Sequence, residues 1–254
     1  MNDDDYKKVI VLPDLHDSPD IPKDRFRWIG RYLTKEQPDA VINIGDTADM
    51  ESLCSHVKNE TFHGKFKPSY IKDVASLNEA LGILYRNYKP KNKPIMHVTL
   101  GNHEHRAWTY ADANPEMYGM QDYLTKVFEN NGWSWSKYGE YYNYSGVDFT
   151  HVPFNSMGRP TSSLNQIANK SNNDVVFGHT HRFDYLTAPK FGPNRKVTVV
   201  NVGCGLPWGH VQNYAKLSST GWWWGVVKLT IYKNRIESCH HKPMFELEKE
   251  FGYY

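Results

Sequence analysis

Ile95-Met96-His97-Val98-Thr99-Leu100-Gly101-Asn102-His103-Glu104 starts as a short apolar run and ends in three polar side chains. The run reads as a buried strand, and the glycine marks where it stops. An amide and an imidazole therefore stand where a strand gives way to a loop. In open α/β sheets the crevice beyond the carboxyl ends of the strands is where ligands bind. Four other apolar runs end in the same way. Lys8–Leu12 leads into Asp14-Leu15-His16, and Ala40–Ile44 into Gly45-Asp46-Thr47-Ala48-Asp49. Asp148-Phe149-Thr150 leads into His151, and Asp174–Phe177 into Gly178-His179-Thr180-His181. Side chains that bind metals recur at strand ends through most of the chain.

The intervening segments suit the same architecture. Asp24–Glu36 carries Phe26, Ile29, Tyr32 and Leu33 on one helical face, with Pro38 just beyond. Strand, helix, strand in this order is a βαβ unit and implies parallel strands. Ser69–Tyr88 is the clearest helix, with an apolar stripe of Ile71, Val74, Leu77, Leu81, Leu84 and Tyr85. The pattern predicts a helix over 115–130 with Met117, Met120, Leu124, Val127 and Phe128 inward. Residues 133–144 alternate aromatic and polar side chains as a half-exposed strand or hairpin does. Residues 163–171 form a short helix. Residues 196–202 and 223–232 read as strands that pair antiparallel. Residues 51–68 have no period and are expected as a loop over the site. The tail from Lys242 to Tyr254 is expected at the periphery.

With 254 residues the chain could hold one large α/β domain or two small ones. The ligand-type residues run from Asp14 to His181, so a single domain over 1–254 is expected, with 104–145 as an insertion or cap. Hydrophobic content of 39% and a mean hydropathy of −0.67 fit a soluble globular protein. The net charge of +2 demands neither nucleic acid nor an anionic membrane. Cys54, Cys204 and Cys239 form no C-x-x-C pair, which argues against a disulfide framework and a structural zinc site. They read as small buried hydrophobes. The acidic N-terminus has no apolar leader, and no apolar run approaches membrane-span length, so a cytoplasmic protein without a membrane partner is expected.

Asp14-x-His16, Gly45-Asp46-x-x-Asp49, Gly101-Asn102-His103-Glu104, a lone His151 and Gly178-His179-x-His181 resemble the calcineurin-like metallophosphoesterases, in the family's order. Singly these blocks are weak; together, each after an apolar run, they are specific. The resemblance implies a four-layer sandwich of two mixed β-sheets flanked by helices. It implies hydrolysis of a phosphomonoester or phosphodiester by a hydroxide bridging two metal ions. Asp14, His16 and His181 would hold one ion, Asn102, His151 and His179 the other, and Asp46 would bridge them. His103 would face the scissile phosphate and protonate the leaving oxygen, and Asp49 would orient it.

The chemistry makes sense of those residue types. Two cations about 3.5–4 Å apart can clamp the attacking and leaving oxygens of a phosphate ester. Mixed imidazole and carboxylate ligation suits Mn, Fe, Zn or Ni better than Ca or Mg, and Mn is the expected ion. Arg106 and Arg159 could grip a phosphate bidentately, and His210 lies where the family places substrate-wall residues. His97 reads as a strand histidine without a role. His56, His63, His105, His240 and His241 fall outside every block and are expected in solvent, as is His210 if it touches no substrate. The substrate would be a small phosphate compound, a nucleotide or a phosphoprotein. The competing reading is a nuclease or nucleic-acid end-processing enzyme on the same site, with aromatic residues stacking bases. A third is a non-catalytic scaffold, which the intact blocks and His103 disfavour.

Overall fold

Strands buried on both faces need apolar side chains at every position, and the runs above have them. The computed structural model describes residues 6–55, 60, 62–212, 215 and 219–253, without the side chains of residues 62 and 63. In chain order the elements are β1 (Tyr6–Leu12), α1 (Asp24–Glu36), β2 (Ala40–Asn43), a 3-10 turn (Glu51–Leu53), α2 (Phe62–Lys65), α3 (Tyr70–Asn87), β3 (Ile95–Thr99) and α4 (Asn102–Ala113). There follow a second 3-10 turn (Pro115–Met117), α5 (Met120–Asn130), β4 (Ser134–Ser136), β5 (Tyr142–Tyr144), β6 (Val147–Phe149), α6 (Leu164–Lys170) and β7 (Asp174–Phe177). The last are β8 (Phe183–Pro189), β9 (Lys196–Val202), β10 (Gly225–Tyr232), β11 (Arg235–Pro243) and α7 (Met244–Phe251).

Two mixed sheets result. The first has the order β11-β10-β1-β2-β3-β4 and the second β5-β6-β7-β9-β8. β1 to β4 are parallel to one another, whereas β10 runs antiparallel to both β1 and β11. In the second sheet β6, β7 and β9 are parallel, with β5 and β8 antiparallel at the edges. Alternate side chains of one strand serve two layers. Val9, Val11, Ala40, Ile42 and Ile44 meet Val147, Phe149, Val176, Val200 and Val202 between the sheets. Ile10, Leu12 and Val41 instead face Phe26, Ile29, Leu77, Leu81 and Phe128 of the helices. On the far side Ile167 and Ala168 of α6 cover Val175, Phe177 and Val199. The layers run helices, sheet, sheet, helix, as the resemblance implied. Each fully buried side chain in the middle layer contributes about 1.5–3 kcal/mol.

Several expectations need correction. β9 and β10 do not pair. Residues 203–224 carry the chain from one sheet to the other, where β10 lies between β1 and β11. The tail is not peripheral, because α7 packs against α1 and buries Met244 and Leu247 in the core. Residues 133–144 are not one hairpin. β4 extends the first sheet beside β3, and β5 starts the second. The 115–130 helix begins only at Met120, since Gly119 at φ 98° interrupts it and Met117 stays exposed. In α3 the stripe is narrower than its periodicity suggested, with Ile71 and Tyr85 exposed. Residues 51–68 include two short helical turns besides loop. Elements α4, β8 and β11 were not foreseen. Residues 104–145 are knit into the core through Ala107, Leu124, Val127, Phe128 and Trp133. His105 and His210 are half-buried, not in solvent, and His56 and the His63 side chain lie outside the described residues.

Candidate metal centre

The five strand-end loops meet at one end of the two sheets and are stitched to each other. The His16 N–H donates to the Asp46 carbonyl at 2.8 Å, and the Asp49 N–H to the Asp17 carbonyl at 2.8 Å. The Gly178 N–H reaches the His151 carbonyl at 2.9 Å, and the His179 N–H reaches Asp14 Oδ2 at 2.8 Å. Asn102 opens α4, and the His103 N–H in its first turn donates to Asp46 Oδ1 at 2.8 Å. The positive end of that helix therefore faces a carboxylate. Glycine is required where these loops touch. A Cβ at Gly101 would collide with the Asp46 carboxylate, and one at Gly178 with that of Asp14. His16, Asp46, His179 and His181 have φ of 43°, 45°, 71° and 60°. Left-handed backbone at non-glycine residues costs of order 1–3 kcal/mol each and clusters at functional sites.

Asp14, His16, Asp46, His103, His151 and His181 are buried, while Asn102 and His179 are half-buried. Asp14, His16 and His181 form one cluster and Asp46, His151 and His179 another. His181 Nε2 lies 3.3 Å from Asp14 Oδ2 and 2.9 Å from His16 Nε2. His179 Nδ1 lies 2.9 Å from Asn102 Oδ1 and 3.3 Å from His151 Nε2. Asp46 Oδ2 stands between the groups, 3.8 Å from His16 Nε2 and 3.4 Å from His151 Nε2.

The donor set fits cations. His151 Nδ1 donates to the Ile44 carbonyl at 3.0 Å, which turns Nε2 towards the centre. That nitrogen lies 3.0 Å from Asn102 Oδ1 and 3.4 Å from Asp46 Oδ2. His16 Nδ1 faces Asp49 Oδ1 at 3.1 Å, which leaves its Nε2 lone pair directed at His181. Burial, the largest effect, holds the His16 pKa down to about 4, which keeps that ring neutral. Asp14 Oδ1 is buried without a hydrogen-bond partner among the described residues. Burial raises the Asp14 and Asp46 carboxyl groups, but the histidines around them outweigh it and hold both below the usual carboxylate range. Converging imidazole nitrogens, carboxylates and an amide oxygen of this kind suit a pair of divalent ions.

His103 Nδ1 is 2.9 Å from Asp49 Oδ1, and its Nε2 is 3.9 Å from Asp46 Oδ2. Burial opposes its charging, but the Asp46 charge and the Asp49 hydrogen bond lift its pKa to about 9. His103 lies close enough to His16 and Asp46 to make a third candidate cluster. The Arg106 guanidinium, however, sits 3.2 Å from His103 Nε2 and donates to the Asp49 carbonyl at 2.8 Å. A fixed cation at that nitrogen disfavours a second one there. Arg159 is exposed on its loop and makes no hydrogen bond or ion pair to the centre among the described residues. His210 is near enough to feel the Asp49 charge, and its carbonyl accepts the Trp224 indole N–H at 2.9 Å.

One feature went unread in the sequence. The buried Gln212 donates from Nε2 to Asp49 Oδ1 at 2.8 Å, and nothing in its local sequence marks it. Aromatic rings also flank the centre. Tyr138 lies 5.9 Å from His151, 5.3 Å from Phe154 and 5.2 Å from His105. Trp222 lies edge-on to His181 at 4.1 Å.

Among solved structures, a conserved uncharacterized protein from Streptococcus pneumoniae TIGR4, a predicted phosphoesterase, matches 94% of this chain and 98% of its own at 10% identity and a TM-score of 0.37. GAP50, the anchor in the inner membrane complex of Plasmodium, matches 97% of this chain and 95% of its own at 9% identity and a TM-score of 0.29. N-acetylneuraminate lyase from Mycoplasma synoviae matches 88% of this chain and 63% of its own at 12% identity and a TM-score of 0.28. Scores this low bear on neither fold nor function. No curated protein matches the chain. The sequence profile of the family described as calcineurin-like phosphoesterase matches residues 7–183, well over half of the 254 residues. The chain belongs to the calcineurin-like phosphoesterase family and is a metal-binding hydrolase that acts on phosphate esters.

Proposed function

We propose that this centre hydrolyses a phosphomonoester or phosphodiester of a small molecule or nucleotide. The observation that carries the reading is the position of Asp46 Oδ2 between His16 of one cluster and His151 of the other, with imidazole and carboxylate groups converging on both sides. Asp14, His16 and His181 would hold one divalent transition-metal ion, and Asn102, His151 and His179 the other, with Mn the first expectation and Fe, Zn or Ni alternatives. Bound there, such ions supply Lewis acidity that activates water and neutralises phosphate charge. Asp46 keeps the two halves at a fixed separation. His103 presents Nε2 towards the same space and donates its proton to the leaving ester oxygen as the phosphorus–oxygen bond breaks. Asp49 holds the opposite ring nitrogen and so sets the direction of that proton. Arg106 lies beside His103 Nε2 and offers its charge to a phosphate oxygen. Arg159 would need a substrate extending over its loop, and His210 one that reaches the rim.

The aromatic rings on both flanks favour a second reading, a nuclease or nucleic-acid end-processing phosphodiesterase. Tyr138 beside His151 and Trp222 beside His181 offer stacking faces close to the clusters. The deciding experiment strips the protein with chelator and adds back Mn, Zn, Ni, Fe, Mg or Ca singly. Bis-p-nitrophenyl phosphate, p-nitrophenyl phosphate and a single-stranded oligonucleotide are assayed in parallel. Diester turnover restored by a transition metal with strand cleavage establishes the nuclease. Monoester turnover alone establishes a phosphatase. No turnover with any metal in a protein that retains two ions overturns both and returns the scaffold reading.

A further inference from the structure

A basic pocket lies at the end of the second sheet remote from the metal centre. Lys190, Arg195, Lys196 and Arg235 line a cavity of about 200 Å³ together with Asn172 and the exposed Phe191, and no acidic side chain among the described residues lines it. Four cations in one pocket stand out in a chain whose net charge is +2. The pocket forms where β7 and β9 begin, whereas the metal-cluster residues follow the end of β7. At about 3.3 Å per residue along β7, roughly 15–20 Å separate the two.

The pocket is partly preorganised. Arg235 Nη1 is tied to Asp174 Oδ1 at 3.2 Å. Asp174 is itself occupied by the Thr198 and Ile236 N–H groups at 2.8 and 2.7 Å. Among the described residues Lys190 Nζ donates only to the neutral Asn169 carbonyl, at 3.0 Å. Arg195 and Lys196 are exposed and have no acidic partner among the described residues. The turn between β8 and β9 is closed by the Lys190 N–H on the Arg195 carbonyl at 2.8 Å, beside the Pro189–Lys196 register pair. That turn holds Phe191 wholly in solvent, at 100% relative exposure.

We propose that this pocket binds the phosphate backbone of a single-stranded nucleic acid, with Phe191 as a stacking face for a base. Its size and openness choose between ligands of the same charge. Small-molecule sites enclose most of their ligand in about 300–1,000 Å³, and this smaller, open pocket cannot enclose a nucleotide. A polymer instead gathers affinity from successive phosphates and released counterions, and needs only a basic groove and an aromatic platform. A membrane surface would suit cations standing on a flat face, whereas these surround a concavity that also offers the Asn172 amide. The inference stands whatever ester the metal centre cleaves, and on the nuclease reading it supplies an anchor for the strand.

The test is fluorescence anisotropy with a labelled oligo-deoxythymidine of about twenty nucleotides. It uses metal-loaded and chelator-treated protein alike, with strand integrity checked on a gel. Binding is expected at low salt (~50 mM), with a log–log salt slope of roughly −2 for about three phosphates contacted. The double variant Arg195→Glu with Lys196→Glu should weaken binding about tenfold or more and flatten that slope. Phe191→Ala should weaken it about 5- to 100-fold. Each variant should leave p-nitrophenyl ester hydrolysis unchanged, which separates failure here from failure of the proposed reaction. No binding with protein on the order of 0.1 mM, or equal binding by the charge-reversed variant, overturns the proposal. Binding to phosphatidylserine vesicles but not to the oligonucleotide also overturns it, in favour of a membrane surface.

Discussion

Glu104 shows how one side chain can register two loops. Its buried carboxylate accepts the Gly101 N–H at 2.8 Å and the Asp46 and Ala48 N–H groups at 2.9 Å each. Burial and the nearby Asp46 charge raise its pKa, and the N–H bonds oppose them. Replacing Glu104 by Gln turns an amide NH2 towards backbone N–H groups. The expected cost is about 1–3 kcal/mol of stability, with weaker metal retention because Asp46 is no longer held. Urea unfolding and metal content after desalting measure both, and a variant unchanged in both refutes the assignment. His103→Ala should lower kcat about 10²- to 10⁴-fold while two-metal content survives, since it removes the proton donor and not a ligand. Metal loss in step with activity would make His103 a ligand. The sequence made His103 legible as part of a motif. The staple made by Glu104 was not legible, because two of its partners lie 58 and 56 residues away.

At the scale of elements, the crossover from β9 to β10 matters most. Within residues 203–224, Trp222 contacts His181, Trp224 holds the His210 carbonyl, and Gln212 reaches Asp49. One connection therefore touches a candidate ligand and also the carboxylate that holds the candidate proton donor. Gln212→Ala removes one of the hydrogen bonds on Asp49 Oδ1 and lets that carboxylate drift from His103. A bond to a charged group at the low end of its usual range corresponds to about tenfold in kcat. Metal content should stay constant and KM should change little. A KM effect at constant kcat would instead make Gln212 part of the substrate wall. This coupling was hidden in the sequence, since Gln212 and Asp49 are 163 residues apart. The glycine contacts at Gly101 and Gly178 were easier to anticipate, because each glycine sits inside a ligand block.

Across the whole molecule, His97 marks a seam between the sheets. Its Nδ1 is 2.8 Å from Ser134 Oγ and its Nε2 3.2 Å from Ser136 Oγ on β4. Its ring stacks on Tyr142 of β5 at 3.6 Å between centroids. Burial pushes its pKa down to about 4, against roughly 6.5 in an unfolded chain. The folded state therefore rejects the proton. Its stabilising contribution is complete above about pH 6.5 and is lost as the pH falls through about 4. Between about pH 7 and pH 5 the expected loss is on the order of 1–2 kcal/mol. His97→Gln keeps hydrogen-bonding capacity without titrating, so its loss over that window should be smaller than the parent's. Urea unfolding of the chelator-treated pair at several pH values reads the difference, and equal losses would exclude His97 as the titrating group.

The local pattern was enough to reveal the parallel β1-α1-β2 unit, the helix α3, the strand-end position of each ligand block and the family. Those features depend on periodicities of two and 3.6 residues and on turn chemistry, which neighbouring residues decide among themselves. The division of strands between two sheets, the docking of α7, the partners of Gln212 and Glu104, and the basic pocket depend on contacts between distant segments. β9 and β10 look alike as isolated strands. Their places follow from which apolar faces remain to be covered once β1 to β3 and β6 to β7 have packed against each other, and that competition exists only in the assembled chain.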